Sequence, residues 1–109
     1  MDGSTSGNIL SAGAWSFCVM VFDGTQLTNA SRLKFYFNNI QQPLTFRGTI
    51  PASLPSTTAA VQIAKNPNAN SYFEGIIDEV VVARDARSAD WLKLCYMNQK
   101  APDQLVTFR

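Results

Sequence analysis

Residues 73–96 constrain the fold of this chain more than any other stretch. Within them, Ile76, Asp78, Val80 and Val82 alternate with Ile77, Glu79, Val81 and Ala83, and strand side chains point to opposite faces with period two. Both sets are largely apolar. That pattern predicts a central strand covered on both sides in a two-layer β structure. Gly75 at its start reads as a bulge or a place of close approach. Ser88 suits a helix N-cap, and Asp90 falls in the first turn, where the helix dipole favours a negative charge. Trp91, Leu94, Cys95 and Asn98 follow at i, i+3, i+4 and i+7, a stripe expected to face the sheet, with Pro102 just past the helix end.

The rest of the chain reads as strands and turns. Residues 14–22 are aromatic and β-branched and end at Asp23-Gly24, a turn dipeptide. Residues 33–38 alternate and run into Asn38-Asn39, residues that tolerate the left-handed conformation of a tight turn. Shorter strands are expected at 44–49, 60–65 and 104–108, with loops at 50–58 and 66–71. The sum is an all-β, antiparallel, hairpin-rich fold with one late helix.

The order of these motifs resembles the concanavalin A-like jelly rolls of the laminin-G-like type. Carrying the resemblance are Gly13-Ala14-Trp15-Ser16-Phe17 leading to Val21-Phe22-Asp23-Gly24, Leu33-Lys34-Phe35-Tyr36-Phe37-Asn38-Asn39, and Val61-Gln62-Ile63-Ala64. Phe73-Glu74-Gly75-Ile76-Ile77-Asp78-Glu79-Val80 and Arg87-Ser88-Ala89-Asp90-Trp91 complete it. Asn39 stands where the family often has a turn glycine, and Ala64 where it commonly has glycine. The resemblance implies an antiparallel jelly-roll-like β-sandwich with one short C-terminal helix. Such sandwiches commonly run to roughly 200 residues, whereas this chain has 109 and resembles the C-terminal half. Residues 1–109 are therefore expected to form a single, partial domain. A sandwich short of strands leaves open edges and an apolar face without a cover. It can close by itself, pair with a second copy, or belong to a larger protein; a homodimer is the expectation. With 46% hydrophobic and 11% aromatic residues, the chain has enough apolar material for a core.

Charge and composition narrow the chemistry. Nine Lys and Arg against eight Asp and Glu, with no run of one sign, give no footprint for nucleic acid or an anionic membrane surface. No apolar stretch reaches the ~18 residues that span a bilayer, and the N-terminus lacks a secretory layout. An extracellular or envelope location is what the resemblance implies. The chain contains no histidine, which removes Ser/His/Asp and Cys/His nucleophile arrangements and imidazole-dependent zinc sites. Glu74, Asp78 and Glu79 invite comparison with the glycan hydrolases of the superfamily, but Glu74 and Asp78 lie four apart while Glu79 points the other way. No enzymatic activity is expected, and these carboxylates are better read as partners of backbone donors or of Arg84 and Arg87. Cys18 and Cys95 are expected to be two buried thiols rather than a disulfide.

Binding is the remaining function. In the family that the chain resembles, sugar sites sit on rim loops or on the concave sheet, where aromatic rings stack on sugars and Asn or Asp bond hydroxyls. A calcium ion, which takes oxygen ligands, is the one cofactor this leaves open. The candidates are Asp23, Asn38, Asn39, Asn66, Asn68, Asn70 and Tyr72, with a glycan as the expected ligand. Turn chemistry alone accounts for asparagines in such loops. Tyr36 suits either the concave face or the core, and Trp15 and Trp91 are expected in the core. The competing reading is an assembly module whose exposed sheet pairs with a second copy or another domain.

Overall fold

The computed structural model describes residues 2–66 and 70–100. Its strands are β1 (Asp2–Thr5), β2 (Cys18–Phe22), β3 (Leu33–Phe37), β4 (Ile40–Gln42), β5 (Leu44–Arg47), β6 (Lys65–Asn66) and β7 (Ser71–Tyr72), with helices α1 (Asn29–Arg32) and α2 (Ala89–Gln99). All pairings are antiparallel: β2-β3-β4 form one sheet, and β1–β5 and β6–β7 form two-stranded ribbons. Among the described residues the fold is thus built of strands in antiparallel sheets, with α2 as the one helix of more than four residues, in agreement with the expected all-β class.

The β2–β3 register pairs Cys18 with Phe37, Met20 with Phe35 and Phe22 with Leu33, and between them Val19 with Tyr36 and Val21 with Lys34. Alternation therefore sorts the sheet into two apolar faces. On one, Val21, Tyr36 and Leu92 of α2 form the core cluster, with Val19 packed against it. Leu92 is 1% exposed, and fully burying such a side chain contributes about 1.5–3 kcal/mol. The other face looks toward β1–β5. A side chain at Gly3 of β1 would meet Phe46 of β5 and Leu33 of β3 at 3.2–3.4 Å, so these layers touch there. Beside that contact Cys18, Met20, Phe35, Leu10 and Leu44 line an open cleft of about 340 Å³.

Several expected elements shrink or move. The strands at 14–22, 33–38 and 44–49 form at their cores, as β2, β3 and β5; the expected strand at 60–65 reduces to Lys65–Asn66. The expected strand at 104–108 lies outside the described residues. Four elements had no clear sequence signal: β1, β4, β7 and α1. The first three are short, and α1 is capped by Thr28 with Ser31, a box that uses serine in place of the usual Glu or Gln.

The main correction concerns residues 76–83. They form no strand, and every one of them is exposed. Val82 is 90% accessible. A strand needs a neighbour to pair with, and among the described residues none lies alongside. Without that ladder the backbone turns at Glu79, at φ 53°, where its N–H donates to Asp78 Oδ1 at 2.9 Å. Gly75 does mark a close approach, since a Cβ there would lie 2.7 Å from the Phe73 ring.

Helix α2 begins as expected, with Ser88 Oγ accepting from Trp91 N–H, but it is rotated by about one residue. Leu92, Cys95 and Tyr96 face inward, and Trp91 and Leu94 are exposed. The Arg87 guanidinium lies 5.1 Å from the exposed Trp91 ring, while Tyr96 meets Phe17 at 5.8 Å between ring centroids. Trp15, expected in the core, is 71% exposed.

Candidate functional site

Asp23 organises a turn. Its Oδ1 accepts from Thr25 N–H and the Thr25 hydroxyl, and Oδ2 accepts from Gln26 Nε2 at 2.9 Å. The bonds from Thr25 and then Gln26 favour the ionised form and hold the carboxyl below its usual pKa. The adjoining rim is tied down: Asn29 Nδ2 donates to Gly48 O and Asn29 Oδ1 accepts from Ile50 N–H, while Arg32 donates to Gln26 O and Ile50 O.

Asn38 and Asn39 form the two-residue turn joining β3 to β4, at φ 47° and 67°, both in the left-handed region that such a turn requires. Asn38 also continues the ladder, its Oδ1 accepting from Phe17 N–H and its N–H donating to Phe17 O. Asp23 follows Phe22, and Asn38 follows Phe37, at opposite ends of the five residues of β3. Asp23 lies opposite Arg32, six residues before Asn38, so at ~3.3 Å per residue roughly 20 Å separates them, and they do not share one site.

The β6–β7 hairpin does gather candidates. Lys65 pairs with Tyr72 and Asn66 with Ser71; Asn70 is exposed in the connecting turn, and Asn68 lies outside the described residues. Tyr72 is 63% exposed, with Lys65 Nζ 5.9 Å from its ring centre. Lys65 is the residue that the motif reading passed over; its place directly across a hairpin from an aromatic is the signal. The hairpin is closed by Phe73 N–H donating to Ala64 O, with Ala64 at φ 64°. Both positions where the resemblance expects glycine, 39 and 64, therefore adopt backbone conformations that glycine takes most readily.

Among the described residues no group of three or more His, Cys, Asp or Glu side chains comes together that could hold a metal. Around Asp23 the oxygens are engaged by donors rather than joined by further carboxylates, which does not fit the six to eight oxygen ligands of calcium. Glu74, Asp78 and Glu79 stand exposed on the irregular segment, not across a shared cleft. Both cysteines are free: Cys18 is exposed as a residue, but partial burial of its thiol raises its pKa, and Cys95 is half-buried. The expectation of two thiols holds, and that of full burial does not. No helix among the described residues is long and apolar enough to cross a membrane.

A search of curated proteins gives no match. Among solved structures the chain is similar to an S-layer domain-containing protein (residues 221–444) from Clostridium thermocellum, with a TM-score of 0.60 and 25% identity. The match covers 84% of this chain and 43% of that one, so the chain spans less than half of its structural relative. The profile of the concanavalin A-like lectin/glucanases superfamily, in its laminin-G form, matches residues 2–93. With its sheets, its α2 packing and its motif order accounted for, the chain belongs to the concanavalin A-like lectin/glucanase superfamily.

Proposed function

We propose that this chain is a noncatalytic binding module of the cell envelope or extracellular space, engaging carbohydrate or another extracellular polymer through the β6–β7 hairpin. The observation that carries the reading is the exposed Tyr72 ring, backed by Lys65 and flanked by Asn66 and Asn70 in a superfamily of lectins. An aromatic ring offers an apolar face to a sugar, and neighbouring amides and an ammonium bond its hydroxyls. The absence of histidine and the scattered carboxylates support a noncatalytic role. The S-layer domain-containing neighbour supports the envelope setting.

A glycan array, run with and without calcium, tests this. Enrichment that Tyr72→Ala weakens about 30-fold, corresponding to an aromatic anchor of ~2 kcal/mol, supports the reading. No enrichment, or enrichment indifferent to Tyr72, refutes it. A second reading, assembly through an apolar surface, is favoured by one observation: Ile76, Ile77, Val80, Val81 and Val82 are all exposed, close together in the chain.

A further inference from the structure

The chain exposes more surface than a closed domain of its size. Its accessible area is 9105 Å², against about 6,000 Å² for a compact 12.0 kDa protein. The surplus of roughly 3,000 Å² exceeds the ~800 Å² that one partner contributes to a standard interface. The segment at 76–84 is exposed throughout, is rich in β-branched residues, lies alongside no strand among the described residues and is kinked at Glu79. An unpaired apolar segment of this kind is a template for strand addition.

Building on the assembly reading, we propose that residues 78–84 pair antiparallel with the same residues of a second copy, centred on Val81. The register follows from symmetry and charge. A closed two-fold dimer needs an isologous contact, and an antiparallel pair about a two-fold axis normal to the sheet brings the same face of both strands together. Its centre is then a residue, not a peptide bond. Centred on Val81, Asp78 faces Arg84 twice, Val80 faces Val82 twice, and Val81 faces itself. Moving the centre to Glu79 sets two glutamates opposite each other, and moving it to Val82 sets Glu79 against Asp85 twice. Centring on Val80 forms no opposite-charge pair at all. Only the Val81 register among these matches opposite charges and opposes no like ones, and cross-strand opposite-charge and β-branched pairs are the favourable ones. Pairing draws Glu79 into the extended region and removes the turn at φ 53°.

The test is a charge swap on the whole chain, read as mass in solution across a concentration series by sedimentation equilibrium. The native chain should reach about twice its 12.0 kDa mass. Asp78→Arg, which sets arginines opposite each other, should raise the dimer Kd about 10-fold or more. The double variant Asp78→Arg/Arg84→Asp should return it to within about 3-fold of the native value. Both residues are exposed, so the swap leaves the core untouched, and circular dichroism checks that each variant is folded. A monomer at 50 µM overturns the proposal together with its assembly basis. A dimer unmoved by Asp78→Arg, or weakened but not rescued by the swap, overturns this register and leaves assembly through another face.

Discussion

Gly24 sits in the turn after β2 against the loop that follows β5, and replacing it with alanine has a cost that can be worked from the structure. The new Cβ would stand 1.8 Å from the Ala52 carbonyl oxygen and 2.8 Å from its carbon. Ordinary contact begins near 3.4 Å, so the loop must withdraw by about 1.6 Å. It is pinned by Ile50, which is 5% exposed, with Ile50 N–H donating to Asn29 at 2.8 Å and Arg32 donating to Ile50 O at 2.7 Å. Both bonds would stretch past bonding distance. Losing one neutral bond costs about 1 kcal/mol and one from a charged donor about 2 kcal/mol, ~3 kcal/mol together. If the loop holds instead, overpacking costs about 1–3 kcal/mol, a similar figure. In urea unfolding, with m near ~1.5 kcal/mol/M, the midpoint of Gly24→Ala should fall by roughly 2 M. In an Asn29→Ala background the loop is already loosened, and the same substitution should cost less. A Gly24→Ala midpoint corresponding to less than ~0.5 kcal/mol of destabilisation would refute the clamp.

Leu92→Ala should destabilise the chain by about 2–5 kcal/mol and reduce the helical signal, because Leu92 is the fully buried contact of α2 with the sheet; thermal melts followed by circular dichroism measure it. Ala64→Gly should raise stability by about 1 kcal/mol, since it relieves an alanine at φ 64°, and a melting temperature unchanged or lower would count against that strain. The Asp23 carboxyl has its pKa lowered on folding, so its contribution is complete above the usual carboxylate value near ~4 and is lost as the pH falls through the lowered value. Asp23→Asn should therefore flatten the acid limb of the stability curve while leaving its shape above pH 5 unchanged, as pH-dependent urea midpoints would show.

Short-range chemistry was the legible part of this sequence. The Asn38-Asn39 turn, the Ser88 cap and the alternation of β2 and β3 each depend on residues within a few positions of one another, and each appears in the structure. The binding candidates were legible as turn residues but not as a site. Only the β2–β3 register reveals that Asp23 and Asn38 lie at opposite ends of the sheet, and only the β6–β7 pairing brings Lys65 to Tyr72. Residues 76–83 show the converse. Their period-two pattern states what the segment needs, an apolar cover on each side, and a pattern cannot say whether the chain itself provides one. The helix stripe erred by one residue because Leu92, not Trp91, is the side chain that packs with Val21 and Tyr36 of the sheet, a contact that periodicity within the helix does not contain.

The tether between the sheet and α2 has its own consequence. Leu92 meets Tyr36 although the chain between them is pinned to the sheet only as far as Ile50, which leaves some 42 positions, much of it exposed loop. Closing a loop of that length costs about 3.3 kcal/mol in chain entropy, close to what burying one leucine returns. Docking of α2 is therefore finely poised, and slack in the tether sets how firmly it latches. Whatever stiffens the intervening segment, whether a glycan gripping the β6–β7 hairpin or a twin strand laid along residues 78–84, shortens the free loop and tightens a helix that it never touches.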